Sequence, residues 1–232
     1  MDAIIKTKKD KYNILFIGNS YTFFNKSWDI VKKLGEKQGI NISVSEITSG
    51  GYTLEQMTDI NDEYGKKVYE YLTNNKYDIV VIQEQSIRPV IEKEKFHNAV
   101  RILHKLIIKN GATPLLYITW GRKEESQDLI KFNLTNKSMT EKLSESYTEI
   151  AKELNIPTSP VGQGFYLVNS KYKHLINLYD TDNTHPSLVG SYFLSLIHFC
   201  RIFNINPKEV KYKFYNDEKQ NILENTCFEI LM

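Results

Sequence analysis

Asn13-Ile14-Leu15-Phe16-Ile17-Gly18-Asn19-Ser20-Tyr21-Thr22 is the stretch whose reading decides the fold. Its apolar run is too short for a helix and fits a strand buried on both faces. Gly18 permits a tight turn, and small polar residues follow at the strand's carboxyl end. The same form recurs downstream. Asp78-Ile79-Val80-Val81-Ile82 ends at Gln83, and Pro114-Leu115-Leu116-Tyr117-Ile118-Thr119 ends at Trp120-Gly121. Ile42 to Ile47 is a weaker, alternating run before Gly50-Gly51, and a fifth strand is expected near 156–161 despite its two prolines.

Helical periodicity fills the intervals. Helices are predicted over 28–38, stopped by Gly39, and over 64–72, 96–108, 139–154 and 188–203. Strands alternating with helices imply an α/β fold: a three-layer α/β/α sandwich around a parallel sheet of about five strands. The 232 residues fit one domain, with a core over about 13–205 and a C-terminal extension, 206–232, in which 217–231 reads as a helix.

Composition narrows the function classes. Hydrophobic residues at 41% and charged residues at 25% are ordinary globular usage. The net charge of +2 has no basic stripe behind it, so no nucleic-acid partner is expected. Lys6, Lys8, Lys9 and Lys11 read as a solvated tail. Cys200 and Cys227 show no metal-ligand spacing and read as inert thiols; no metal or cofactor is implied. No run approaches the roughly 20 apolar residues of a membrane span. Met1 to Tyr12 lacks a signal-peptide core, so a cytoplasmic location is expected unless a leader lies upstream. The oligomeric state is not legible.

Ligands of open α/β sheets bind beyond the carboxyl ends of the strands. Ser20, Gly50-Gly51, Gln83 to Ser86 and Trp120 to Arg122 all follow strands and are expected to meet there. Ser20 would sit at a strand-to-helix junction with its hydroxyl exposed and its N–H free to donate. Read alone, it fits a loop or a helix cap equally well. Asp182-Asn183-Thr184-His185-Pro186-Ser187 precedes the last apolar helix. Imidazole is the usual base for a serine near neutral pH, and a carboxylate three residues earlier can fix its tautomer. Alone, this segment fits a cap at Asp182 or Ser187 and an ordinary surface histidine.

Together the four blocks resemble the SGNH (GDSL-type) hydrolase superfamily over about 13–200. The chain carries a Gly-Asn-Ser first block and a Gln-Glu-Gln-Ser third block. The resemblance implies Ser20 as nucleophile, His185 as base and Asp182 as its orienting acid. It implies an oxyanion hole from the N–H groups of Ser20 and Gly51 (or Gly50). It implies an ester substrate, small-molecule or carbohydrate, with a short acyl or acetyl group. Two departures stand out: Asn19 replaces the usual aspartate, and no asparagine follows strand three. Carbohydrate-esterase branches use a glutamine in that block, which leaves the third donor open between Gln83 and Gln85. Trp120 and Arg122 are candidates for an acyl or sugar wall and a carboxylate clamp, or for loop packing and an ion pair. Glu84 is a candidate for substrate contact or for pairing with Arg88 or Arg122. Asn19, Tyr21, Phe23 and Tyr52 flank the blocks as candidate pocket residues. His97, His104, His174 and His198 read as structural. The competing readings are a lipase or thioesterase on the same fold and a scaffold that binds without catalysis.

Overall fold

A computed structural model describes residues 4, 5 and 7–231; Lys6 of the predicted tail lies outside them. The chain opens with β1 (Tyr12–Gly18), α1 (Ser20–Phe23), a 3-10 turn at Phe24–Lys26, α2 (Ser27–Gln38) and β2 (Ile42–Thr48). Then come α3 (Leu54–Thr58), α4 (Glu63–Asn74), β3 (Ile79–Ile82), α5 (Arg88–Ile91), α6 (Lys93–Asn110) and β4 (Thr113–Tyr117). The remainder is α7 (Gln127–Lys131), α8 (Asn136–Leu154), β5 (Thr158–Ser159), α9 (Val161–Tyr172), α10 (Leu188–Phe203) and α11 (Glu218–Leu231).

The five strands form one parallel sheet in the order β2-β1-β3-β4-β5. Period-two alternation sends their side chains to two separate cores. Ile14, Phe16, Ile79, Val81, Leu115 and Tyr117 face a layer built from α2, α9, α10 and α11. Leu15, Ile17, Val80, Ile82 and Leu116 face α3, α4, α6 and α8. This is the α/β/α sandwich expected from the sequence. α10 is buried on nearly every side, as an all-apolar helix must be. Among the described residues no helix is long and apolar enough to cross a membrane.

Two departures from expectation have local causes. β5 is reduced to Thr158–Ser159, because Pro157 and Pro160 flank it and cannot donate to a ladder. α9 was not expected, since Gly162 and Gly164 depress helix propensity. Packing requires Gly162, where a Cβ would lie 2.1 Å from Thr119 O, and favours Gly164, where one would press at 3.0 Å on the side-chain ends of Ile197 and Ile230.

The chain runs from β1 outward to β2 on one side, then returns to β3 on the other. That reversal opens a crevice between β1 and β3 at their carboxyl ends, where ligands of such sheets bind.

Candidate active site

β1 delivers Ser20 to this crevice through a turn with no spare room. A Cβ on Gly18 would lie 2.6 Å from both Gln83 Oε1 and Thr22 Oγ1. Asn19 is extended and caps α1, its Oδ1 accepting from Tyr21 N at 3.2 Å. Its Nδ2 donates to Tyr52 O at 2.8 Å, which ties the Ser20 turn to the loop after β2. An aspartate could accept in this position but not donate, so the asparagine has a structural task.

Ser20 occupies the first helical position, and no partner is recorded for its N–H among the described residues. Its Oγ lies 2.8 Å from His185 Nε2. His185 Nδ1 meets Asp182 Oδ2, and Asp182 Oδ1 accepts from the N–H groups of Thr184 and His185, each at 2.9 Å. Burial works to raise the Asp182 carboxyl, but the His185 ring and the two backbone donors outweigh it. The net effect holds it below the usual carboxylate range. Asp182 therefore stays ionised and can hold a proton on Nδ1, which leaves Nε2 free to accept from the serine.

The histidine loop is fixed from several sides. Phe24 stacks on the His185 ring at 4.2 Å, and Tyr21 meets it edge-on at 5.7 Å. Trp120 Nε1 donates to Thr184 O at 3.1 Å. Asn25, at φ +52°, reaches across to Pro186 O at 3.0 Å. Ser187, the alternative cap, does cap α10 through Gly190 N. The sequence pointed to Phe23; it is Phe24 that covers the imidazole, and nothing in the pattern separates the two.

A cavity of about 230 Å³ opens over Ser20 and His185. Gly51, Gln85, Ser86, Arg122 and Thr184 line it with Asn19 and Tyr21. Gly51 adopts φ +72°, a conformation suited to glycine, and no partner is recorded for its N–H among the described residues. Gly50 does not line the cavity.

The two glutamines have different surroundings. Gln83 is buried; its Oε1 accepts from Asn19 N at 3.0 Å and Thr22 Oγ1 at 2.8 Å. Its Nε2 donates to Asn19 Oδ1 at 3.0 Å and to Glu84 O. Both amide hydrogens are thus spent beneath the Ser20 turn, and Gln83 has none to offer a ligand in the crevice. Gln85 is turned the other way round: its Oε1 accepts from Ile87 N and Arg88 N, and Nε2 has only a long 3.4 Å contact to Ser86 Oγ.

Three residues offered by the sequence as substrate contacts lie elsewhere. Trp120 is fully buried between Tyr21 and Phe165, stacked at 4.4 and 4.2 Å, so it supports the loops and forms no wall. Tyr52 is absent from the cavity lining; its hydroxyl donates to Asp62 at 3.2 Å. Glu84 is fully buried on the other side of the sheet end, its Oε1 accepting from Leu54 N at 3.1 Å and Gln85 N at 2.6 Å. Burial pushes its carboxyl up to about 7, against the two N–H donors and Arg88; Glu55 pushes the same way as burial. Arg122 does reach the cavity, where Nη2 donates to Ser86 Oγ at 2.8 Å and Nη1 pairs with Asp128 at 2.5 Å. Among the described residues no three His, Cys, Asp or Glu side chains are grouped to hold a metal ion.

Neither a protein-family model nor a curated protein sequence matches the chain. Solved structures do share its fold. A protein from Slackia heliotrinireducens, described as a candidate SGNH hydrolase, superposes with a TM-score of 0.73 at 24% identity, over 83% of this chain and 99% of its own. A DUF4886 family protein from Bacteroides uniformis gives 0.79 at 16% identity, over 95% and 94%. An acetyl-xylooligosaccharide esterase from Geobacillus stearothermophilus, solved as a mutant, gives 0.60 at 17%, over 89% and 97%.

Proposed function

We propose that the chain is a serine esterase of the SGNH type that cleaves short acyl esters. The observation that carries this reading is the line Ser20 Oγ, His185 Nε2, His185 Nδ1, Asp182, set at the carboxyl edge beside two unpartnered N–H groups. His185 takes the Ser20 proton as Oγ attacks the ester carbonyl. The N–H groups of Ser20 and Gly51 and the Gln85 Nε2 amide receive the oxyanion. Collapse expels the alcohol with a proton from His185. Water, deprotonated by the same ring, then releases the acid from the acyl-enzyme. Asp182 keeps the ring oriented through both steps.

The small cavity supports a short acyl group. The esterase from Geobacillus stearothermophilus, an acetyl-xylooligosaccharide esterase by its description, supports a carbohydrate O-acetyl group as the substrate class. Arg122 and Tyr21 would contact the substrate from the cavity wall.

The test is labelling and turnover together. A fluorophosphonate should modify wild type at Ser20 and leave Ser20→Ala unmodified. Acetyl esters should turn over faster than octanoyl esters or thioesters. An unlabelled, inactive wild type would leave a scaffold that binds without catalysis and would refute the proposal.

A further inference from the structure

The buried carboxyl of Glu84 plays no part in the reaction as derived, yet it touches both halves of the oxyanion site. It follows Gln83 past the end of β3 and points into the layer of α3 and α8. One oxygen, Oε1, collects two backbone donors. Leu54 N belongs to the first turn of α3, three residues after Gly51; Gln85 N belongs to the residue whose amide faces the cavity. The second oxygen, Oε2, is buried with no hydrogen-bond partner among the described residues.

The Gly51 turn has few other ties. Ser49 N reaches Gly18 O at 3.3 Å, Tyr52 N reaches Ser49 O at 3.3 Å, and Asn19 holds Tyr52 O. The first and last fasten the turn to the end of β1 beside Ser20, and the second closes the turn on itself. Among the recorded hydrogen bonds, two links join the α3 side of the turn to the Gln85 segment: Glu84, which bonds Leu54 N and Gln85 N directly, and the Arg88–Glu55 pair one step further out on each side. Oxyanion donors act through their fixed placement, so a joint between two of them affects the transition state more than substrate binding.

We propose that Glu84 is a positioning residue: its carboxylate clamps the Gly51 turn to the Gln85 segment and so sets the spacing of the oxyanion donors. The proposal rests on the esterase reading above. A charged acceptor holds two N–H donors more firmly than a neutral one, so the clamp weakens when Glu84 is protonated. The charged and titratable groups around it are Arg88 on α5, Glu55 on α3 and Tyr147 on α8, whose hydroxyl accepts from Glu84 N at 3.1 Å. Arg88 is itself occupied by Glu55 and Glu92, so it leaves the Glu84 charge without a direct ion pair. Glu84 therefore changes charge within the working pH range.

Glu84→Gln imitates the protonated state at every pH and tests the clamp. With a nitrophenyl acetate, kcat of the variant should be about tenfold below wild type at pH 8.5, with KM unchanged, as expected when a transition-state interaction is lost. The ratio of the two kcat values should shrink toward one at pH 5.5, where wild type is protonated as well. Any pH-dependent step that the two proteins share cancels in this ratio. A kcat ratio that stays at one, or that does not change with pH, overturns the proposal. Should Glu84→Gln not fold, Leu54→Pro removes the donor at the other end. Thr53 is already extended at φ −100° and ψ 156°, as a residue before proline must be, and proline is accepted in a first helical turn. About a tenfold loss of kcat at pH 8.5 supports the clamp, and unchanged kcat overturns it. Ser20-dependent turnover in wild type with no effect of either variant removes the clamp alone. Absence of that turnover removes the esterase reading and the clamp with it.

Discussion

Gln83 and Gln85 differ by two positions, and replacing each by alanine should damage different properties. Gln83 makes four hydrogen bonds in a buried setting, two as acceptor and two as donor. At a net value of about 1 kcal/mol each, their loss costs about 4 kcal/mol. One partner is partly spared, because Asn19 Oδ1 keeps Tyr21 N. The orphaned Asn19 N–H and Thr22 hydroxyl add desolvation costs in the other direction, so about 4 kcal/mol stands. For a chain of this size that corresponds to a fall in Tm of about 10 °C. Gln85→Ala loses only three long contacts, of 3.2 and 3.3 Å to its Oε1 and 3.4 Å from its Nε2, and should melt within about 3 °C of wild type. Its kcat for a nitrophenyl acetate should drop by about 10²–10³, the usual effect of removing one oxyanion donor. Thermal melts by circular dichroism and initial rates at 25 °C measure both. A Gln83→Ala protein that melts with wild type, or a Gln85→Ala protein within a few-fold of wild-type kcat, would refute the division of labour.

Three further outcomes follow from the same geometry. Asp182→Asn should leave the fold intact but lower kcat by about 10³–10⁴, because its amide oxygen stays on the Thr184 and His185 N–H groups and its NH2 then donates to Nδ1, fixing the wrong tautomer; steady-state rates check this, and a loss under tenfold would remove Asp182 from the proposed triad. Asn19→Asp should place a carboxylate against Tyr52 O and cost about 1–3 kcal/mol at pH 8, with the deficit shrinking as the pH falls and the new acid regains a donor; urea melts at pH 8 and pH 5 would show a constant difference if this is wrong. Glu84 should also mark the stability profile. Its carboxyl stands at about 7 in the fold against 4.5 for the free side chain, so the folded state binds the extra proton between those values. Its contribution to stability is therefore full near pH 4.5, declines by about 3 kcal/mol as pH rises to 7, and is level above that. The stability of Glu84→Gln relative to wild type should rise over that window, and a pH-independent difference would contradict the burial argument.

The sheet and the long helices were legible because their signals are long or repeated. Four apolar runs ended in small or polar residues, and 188–203 matched the structure residue for residue. The helices missed were α9 and four pieces of four or five residues. The short pieces hold too few turns for a period to register, and their conformations are set by caps such as Asn19 on α1 and Thr53 on α3. α9 hid behind two glycines whose reason is packing across the domain, which no local propensity contains.

The site was legible in its blocks and not in its side-chain directions, and the third block shows why. β3 alternates, with Val81 facing the α10 layer and Ile82 facing the α6 layer. That alternation continues for two residues beyond the strand. Gln83 therefore turns under the Ser20 turn and Glu84 turns into the layer of α3 and α8. Chemistry alone left Glu84 open between substrate contact and pairing with Arg88 or Arg122, because carboxylates are rarely buried unpaired. The period-two rule, extended past the last ladder bond, would have placed it inside and left Gln85 as the next residue facing the crevice. Trp120 obeys similar logic: a large ring just past β4 has less room at the crevice than between Tyr21 and Phe165, where it covers both faces and still finds Thr184 O for its N–H. Residue type thus located the crevice, and strand geometry determined which side chains enter it.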